Sequence, residues 1–270
     1  MSEIIVNQNK YHYIASIKDH DQPVYVFLHG FLGSKNDFQK LLNDFPKQYL
    51  ALDLLGFGEN RFEEVPAEKF VQSSQIGDLE QIFQRLNLTK IILVGYSMGG
   101  RIAIAYALKY PKRLVKLVLE STTAGIDDAE KRLARQSHDQ LLAEKLRRSG
   151  MEEFVANWEK MPLFASQKAV TPEKFTFMHQ QRLEQNPQNA ANSLLMMGTG
   201  KQPNYWDDIK CLADLSVSIV VGSEDGKFVK IGQKMQQRIS DSILKIVPNV
   251  GHNIHFEEPK IFKNILLNIE

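Results

Sequence analysis

One cysteine, Cys211, stands in the 270 residues. That excludes an intramolecular disulfide and suits a reducing compartment. There is no paired-Cys spacing and no His-Glu-x-x-His, so no metal site is expected. Neither a G-x-G-x-x-G fingerprint nor a phosphate-binding loop occurs, and no cofactor is expected. No apolar run approaches the ~20 residues that span a bilayer, so membrane insertion is not expected. The start, Met1-Ser2-Glu3-Ile4, lacks a basic segment followed by an apolar core. The expectation is a cytoplasmic protein with no signal peptide. Lys and Arg total 33 against 32 Asp and Glu, a net charge of +1. No global field then favours nucleic acid or an anionic membrane, and attraction for an anion must be local. Internal repeats and low-complexity tracts are also absent. The expected partner is a small molecule, and the expected state a monomer or weak homo-oligomer.

What is present is alternation. Apolar runs read as strands at Tyr11 to Ala15, Val24 to Leu28, Tyr49 to Asp53, Ile91 to Val94, Leu114 to Leu119, Val217 to Val221 and Ser242 to Val247. Helical patterns fall between them at Asn36 to Asn43, Lys69 to Leu86, Arg101 to Leu108 and Phe228 to Ile239, and Glu258 to Asn268 closes the chain. Strand–helix alternation argues for an α/β fold: a mostly parallel central sheet with helices on both faces. From about Thr122 to Tyr205 the pattern changes to helices alone, near Asp127 to Arg148, Glu152 to Lys160, Thr171 to Gln185 and Pro187 to Gly198. Gly150 reads as a helix stop, and Thr171-Pro172-Glu173 as a helix start. A helical block between two strands of a parallel sheet reads as an inserted cap over the strand ends. The expected division is core 1–121, cap 122–205 and core 206–270.

The chemistry gathers at Gly95-Tyr96-Ser97-Met98-Gly99-Gly100. Strand, tight turn, helix is the setting in which Gly-x-Ser-x-Gly makes a nucleophile elbow. Glycine is needed where a Cβ would strike the neighbouring strand or helix. A serine hydroxyl needs a base to share its proton. His252, in the loop after the last strand, is the candidate, and Asp225, after the preceding strand, would orient it. Ser97, Asp225, His252 is the chain order of serine, acid and histidine in this architecture. Glu224 adjoins Asp225, but neighbours in an extended loop point apart. His255 reads as structural or cap-facing. His12, His20, His138 and His179 have no matching acid or serine. His29-Gly30 ends a buried strand and suits an oxyanion loop, whose donors would be the Phe31 and Met98 N–H groups.

Together these features resemble the α/β-hydrolase superfamily over nearly the whole chain. One departure is Leu55-Gly56-Phe57-Gly58-Glu59-Asn60, where many members carry Pro-Gly-His-Gly and a serine; that loop is expected near the site rim. A closer resemblance rests on Gly95 to Arg101, Glu120 to Ile126, Arg135-Gln136, Trp158-Glu159, Pro162-Leu163-Phe164, Gln181-Arg182 and Gly198 to Pro203. These segments are similar to the 2-succinyl-6-hydroxy-2,4-cyclohexadiene-1-carboxylate synthase family of menaquinone biosynthesis. The resemblance implies a lyase that eliminates pyruvate from 2-succinyl-5-enolpyruvyl-6-hydroxy-3-cyclohexene-1-carboxylate, a polycarboxylate. It also implies that Tyr96, Arg101, Arg135, Trp158 and Arg182 line the substrate site, the arginines meeting carboxylates. Trp158 reads equally as a core residue of the cap. The alternative activity is a carboxylesterase or carbon–carbon bond hydrolase with Ser97 as acyl nucleophile. A non-catalytic ligand-binding member of the fold usually loses part of the triad, and this chain keeps all three candidates.

Overall fold

A computed structural model describes residues 2–268; residues 1 and 269–270, the ends of the expected core, lie outside them. Eight strands form one sheet: β1 (Ser2–Val6), β2 (Asn9–Ser16), β3 (Val24–Leu28), β4 (Tyr49–Leu52), β5 (Ile91–Tyr96), β6 (Leu114–Glu120), β7 (Ser216–Gly222) and β8 (Ile243–Val247). Their order is β1-β2-β4-β3-β5-β6-β7-β8. Strands β3 to β8 pair in parallel, whereas β1 pairs with β2, and β2 with β4, antiparallel.

The nine α-helices among the described residues are α1 (Gln39–Leu42), α2 (Gln72–Arg85), α3 (Met98–Lys109), α4 (Ala129–Trp158), α5 (Pro172–Leu183), α6 (Pro187–Met197), α7 (Gly226–Arg238), α8 (Ile254–Glu257) and α9 (Pro259–Asn268). Both sheet faces are covered. Along β3 the even positions Val24, Val26 and Leu28 join the apolar cluster that holds α2, α3 and α7 side chains, among them Phe83, Ile102 and Met235. The odd positions Tyr25 and Phe27 join a second cluster with Leu41 of α1 and Phe262 and Leu266 of α9. All five β3 residues are buried. A strand buried on both faces reads as a continuous apolar run, which is why periodicity is absent there.

The structure adds β1, which the sequence pattern does not announce. Its hairpin turn uses Asn7 and Gln8 at positive φ, 48° and 66°. Asn suits that conformation, Gln less so, and the turn lacks the usual Asn-Gly signal. The expected helix from Lys69 starts as a separate turn, Ala67–Phe70, before α2.

Helices α4 to α6 lie between β6 and β7, where no strand is found among the described residues. Their starts follow the expected chemistry: Asp128 accepts from Lys131 N–H at the head of α4, and Asn186 from Gln188 and Asn189 N–H at the head of α6. Thr171 caps α5, with Pro172 in its first turn. Gly150 breaks α4 at φ 73°, ψ −172°. The two ends of this excursion meet, since Tyr205 N–H donates to Ala124 C=O at 2.8 Å and Trp206 Nε1 to Gly125 C=O at 3.0 Å. Among the described residues no helix is long and apolar enough to cross a membrane.

Candidate active site

Ser97 joins β5 to α3 at φ 49°, ψ −106°. A non-glycine residue held there costs roughly 1–3 kcal/mol and persists only where its surroundings over-determine it. They do. Ser97 N–H donates to Glu120 C=O at 2.9 Å, and Thr122 Oγ1 donates to Ser97 C=O at 2.8 Å. A Cβ on Gly95 would lie 2.6 Å from Gly100 Cα, and one on Gly99 2.2 Å from the Leu28 carbonyl oxygen. The turn therefore closes only with glycine at both positions.

Ser97, His252 and Asp225 converge although 155 and 27 residues separate the pairs. His252 Nε2 lies 3.1 Å from Ser97 Oγ, and His252 Nδ1 lies 2.6 Å from Asp225 Oδ2. Ionised Asp225 can only accept, so Nδ1 carries the proton and Nε2 is left to take the serine's. The other Asp225 oxygen accepts from Phe228 N–H at 3.2 Å, capping α7 and fixing the carboxylate. His252 is buried between the rings of Phe228 and Tyr96, 4.6 and 5.4 Å away. Glu224 is exposed and takes no part. His255 is fully buried and faces inward, not toward the cap: its Nδ1 bonds Glu120 at 2.7 Å, and its ring stacks on Phe38.

Phe31 and Met98 line the same cavity as Ser97. The loop that carries Phe31 is set by His29. Leu54 N–H donates to His29 Nε2 at 2.9 Å, so Nδ1 holds the proton and donates to Gly30 C=O at 2.7 Å. Burial keeps this imidazole neutral, with its pKa lowered to about 4. Gly30 cannot be larger, because a Cβ would lie 2.6 Å from the Tyr96 ring.

Nine of the ten expected site residues line this cavity: Phe31, Tyr96, Ser97, Met98, Arg101, Arg135, Trp158, Arg182 and His252. Asp225 stands behind His252. The arginines are not equally free. Arg182 bonds Glu159 at 2.9 Å and Gln167 at 3.0 Å and lies over the Phe164 ring. Arg135 pairs with Asp139 at 2.7 Å. Arg101 donates to Met197 C=O at 2.6 Å; burial, then Arg135, lowers its pKa to about 10. Trp158 both packs against other aromatic rings and faces the cavity. It stacks on Phe154 at 5.5 Å and tilts against Phe31 at 5.2 Å while lining the cavity.

The Leu55–Asn60 loop packs beside the site, with the Phe57 ring 5.7 Å from that of Phe31. Among the described residues none of its members lines the cavity. It wraps the buried Asp53 carboxylate instead, which binds Lys35 Nζ at 2.8 Å and Glu59 N–H at 2.9 Å. A Cβ on Gly58 would sit 2.2 Å from that carboxylate. Two charged lining residues escape sequence reasoning, Asp37 and Lys227. Asp37 lies in a short turn with no motif around it; burial raises its pKa to about 6. No group of three or more His, Cys, Asp or Glu among the described residues could hold a metal.

The α/β-hydrolase-fold family matches residues 23–259. A Bacillus subtilis (strain 168) protein provisionally named 2-succinyl-6-hydroxy-2,4-cyclohexadiene-1-carboxylate synthase is 39% identical over 242 residues, 89% of this chain and 88% of its own. The chain belongs to that synthase family. A Klebsiella pneumoniae 2-succinyl-6-hydroxy-2,4-cyclohexadiene-1-carboxylate synthase is 30% identical over 91% of this chain and 94% of its own. The solved structure of MenH from S. aureus superposes with a TM-score of 0.89 at 34% identity, covering 96% of this chain and 97% of that one. Membership makes a lyase on a hydrolase fold the frame for the geometry above.

Proposed function

We propose that this protein eliminates pyruvate from 2-succinyl-5-enolpyruvyl-6-hydroxy-3-cyclohexene-1-carboxylate, giving 2-succinyl-6-hydroxy-2,4-cyclohexadiene-1-carboxylate, in the cytoplasm and as a step of menaquinone biosynthesis. The observation that carries the reading is a serine–histidine–aspartate relay opening into a cavity walled by three arginines. A neutral ester needs no guanidinium; a polycarboxylate does.

The reaction begins with loss of a proton from the ring carbon beside the succinyl ketone. Ser97, assisted by His252, is the base, and Asp225 stabilises the imidazolium. Negative charge moves to the ketone oxygen, where the Phe31 and Met98 N–H groups receive it. The electrons then return through the ring double bond, the carbon–oxygen bond breaks, and enolpyruvate leaves as the diene forms. Enolpyruvate takes a proton on carbon to become pyruvate. Tyr96, Arg101, Arg135, Trp158 and Arg182 hold the substrate. Residues 122–205 act as a cap that keeps water from the site, between core segments 1–121 and 206–270. No cofactor enters.

The test is incubation of the purified protein with the enolpyruvyl cyclohexene tricarboxylate. Pyruvate and the absorbance of a conjugated diene should rise together. Absence of both, with efficient turnover of simple esters through a trapped acyl-enzyme, would make Ser97 a nucleophile and the protein an esterase.

A further inference from the structure

The cavity around Ser97 measures about 130 Å³, below the roughly 300–1,000 Å³ of most small-molecule sites. A second chamber of about 490 Å³ adjoins it. Arg135, Trp158, Leu163 and Lys227 line both, forming a seam between them. A tricarboxylate with two side arms does not fit within the smaller space alone.

Lys227 is badly placed for stability. It lies in the first turn of α7, where the helix dipole repels a cation. It is exposed to solvent at the rim. Desolvation against the wall, then Arg135, lower its pKa, while Asp225 acts the other way. Among the described residues no hydrogen bond or ion pair within 4 Å closes on its ammonium, and the Phe228 ring stands 5.5 Å away. Arg182 and Arg135 already hold Glu159 and Asp139, and Arg101 a carbonyl oxygen. Among the described residues Lys227 is thus the lining cation whose ammonium has no hydrogen-bond or ion-pair partner in the protein, while Arg135 spends only its Nε on Asp139 and keeps its two Nη groups for an anion. Residues that break a local rule without internal compensation mark functional positions.

We propose that Lys227 is a specificity-determining residue, receiving the carboxylate of one substrate arm that crosses the seam from the Ser97 cavity into the neighbouring chamber. The inference rests on the function proposed above. Arg135 stands beside it on the same seam, so an anion there meets two positive charges.

The test uses calorimetric titration of wild type, Lys227→Met and Lys227→Arg with three probes. They are 2-(3-carboxypropanoyl)benzoate, which carries the keto-acid arm, 2-acetylbenzoate, which lacks its carboxylate, and pyruvate. If Lys227 reads the succinyl arm, Lys227→Met binds the first probe about tenfold more weakly, as expected for one lost charge-assisted bond, and no better than the second. If it reads the enolpyruvyl arm, only pyruvate binding weakens. Lys227→Arg retains most affinity in either case. In turnover the loss should fall on KM more than on kcat. Unchanged affinity of Lys227→Met for both pyruvate and the keto-acid probe overturns the proposal. Failure of the function itself reads differently: wild type then releases no pyruvate from the tricarboxylate, whatever Lys227 does to anion binding.

Discussion

Arg182 and Glu159 meet at 2.9 Å, and the second oxygen of the same carboxylate holds His179 at 2.9 Å. Glu159 follows Trp158 at the end of α4 and Arg182 lies near the end of α5, so the pair ties these two helices together. It also sets the guanidinium before any substrate arrives. Glu159→Gln keeps the shape but weakens both bonds. The expected result is a substrate KM raised several-fold with kcat little changed, and a loss of about 1–3 kcal/mol of stability. Steady-state kinetics with a thermal melt checks both.

Carboxylate capture should be separable from the chemistry. Arg135→Ala and Arg182→Ala are expected to weaken capture of the tricarboxylate far more than they slow cleavage of a neutral activated ester. Each lost charge-assisted contact is worth roughly tenfold or more. Comparing kcat/KM for the two substrates decides it; equal effects on both would argue against carboxylate binding.

Two glycines should respond in opposite ways. At Gly99 an added Cβ would meet backbone, 2.2 Å from the Leu28 oxygen and 2.6 Å from the His29 oxygen. Gly99→Ala must therefore shift the oxyanion loop, and turnover should collapse. Gly77 lies inside α2 with nothing within 4 Å of a Cβ. Gly77→Ala should stabilise the protein by about 0.5–1 kcal/mol with turnover unchanged. Melting curves and activity of the two variants together provide the check.

His29 gives stability a pH dependence of known sign. Its folded pKa is lowered to about 4 by burial, so the unfolded chain takes up its proton first. Stability present above about pH 6.5 is lost as pH falls toward 4, by about 3 kcal/mol. Asp37 acts oppositely. Its pKa is raised to about 6 by burial, so its cost grows as pH rises from the ordinary carboxylate range to 6 and is full above that. Denaturant titrations from pH 4 to 8 should show a flatter acid loss in His29→Gln. In Asp37→Asn they should show a gain at pH 7 relative to pH 4.

The central strands and the triad were legible because each carries a local signal. Continuous apolar runs mark β3, β5 and β7, and Gly-x-Ser-x-Gly at a strand–helix junction fixes Ser97. His252 and Asp225 followed from their places after β8 and β7. β1 was not legible, because a short edge strand with exposed side chains has little periodicity. Asp37 and Lys227 were missed for another reason: the cavity is made by tertiary packing, and no spacing marks a lone acid or lysine as facing it. What holds the Leu55–Asn60 loop was not legible, because its partner, Asp53, is a buried charge that the loop sequence does not reveal. The arginines were picked by resemblance, and their existing partners, Glu159, Asp139 and the Met197 carbonyl, became visible only in three dimensions.

The most direct test compares pyruvate release from the enolpyruvyl cyclohexene tricarboxylate by wild type, Ser97→Ala and Asp225→Asn, each shown to be folded by its melt. The account predicts release by wild type and a fall of about 10³-fold or more in each variant, as when a member of such a triad is removed. Near-normal release by folded Ser97→Ala would contradict it.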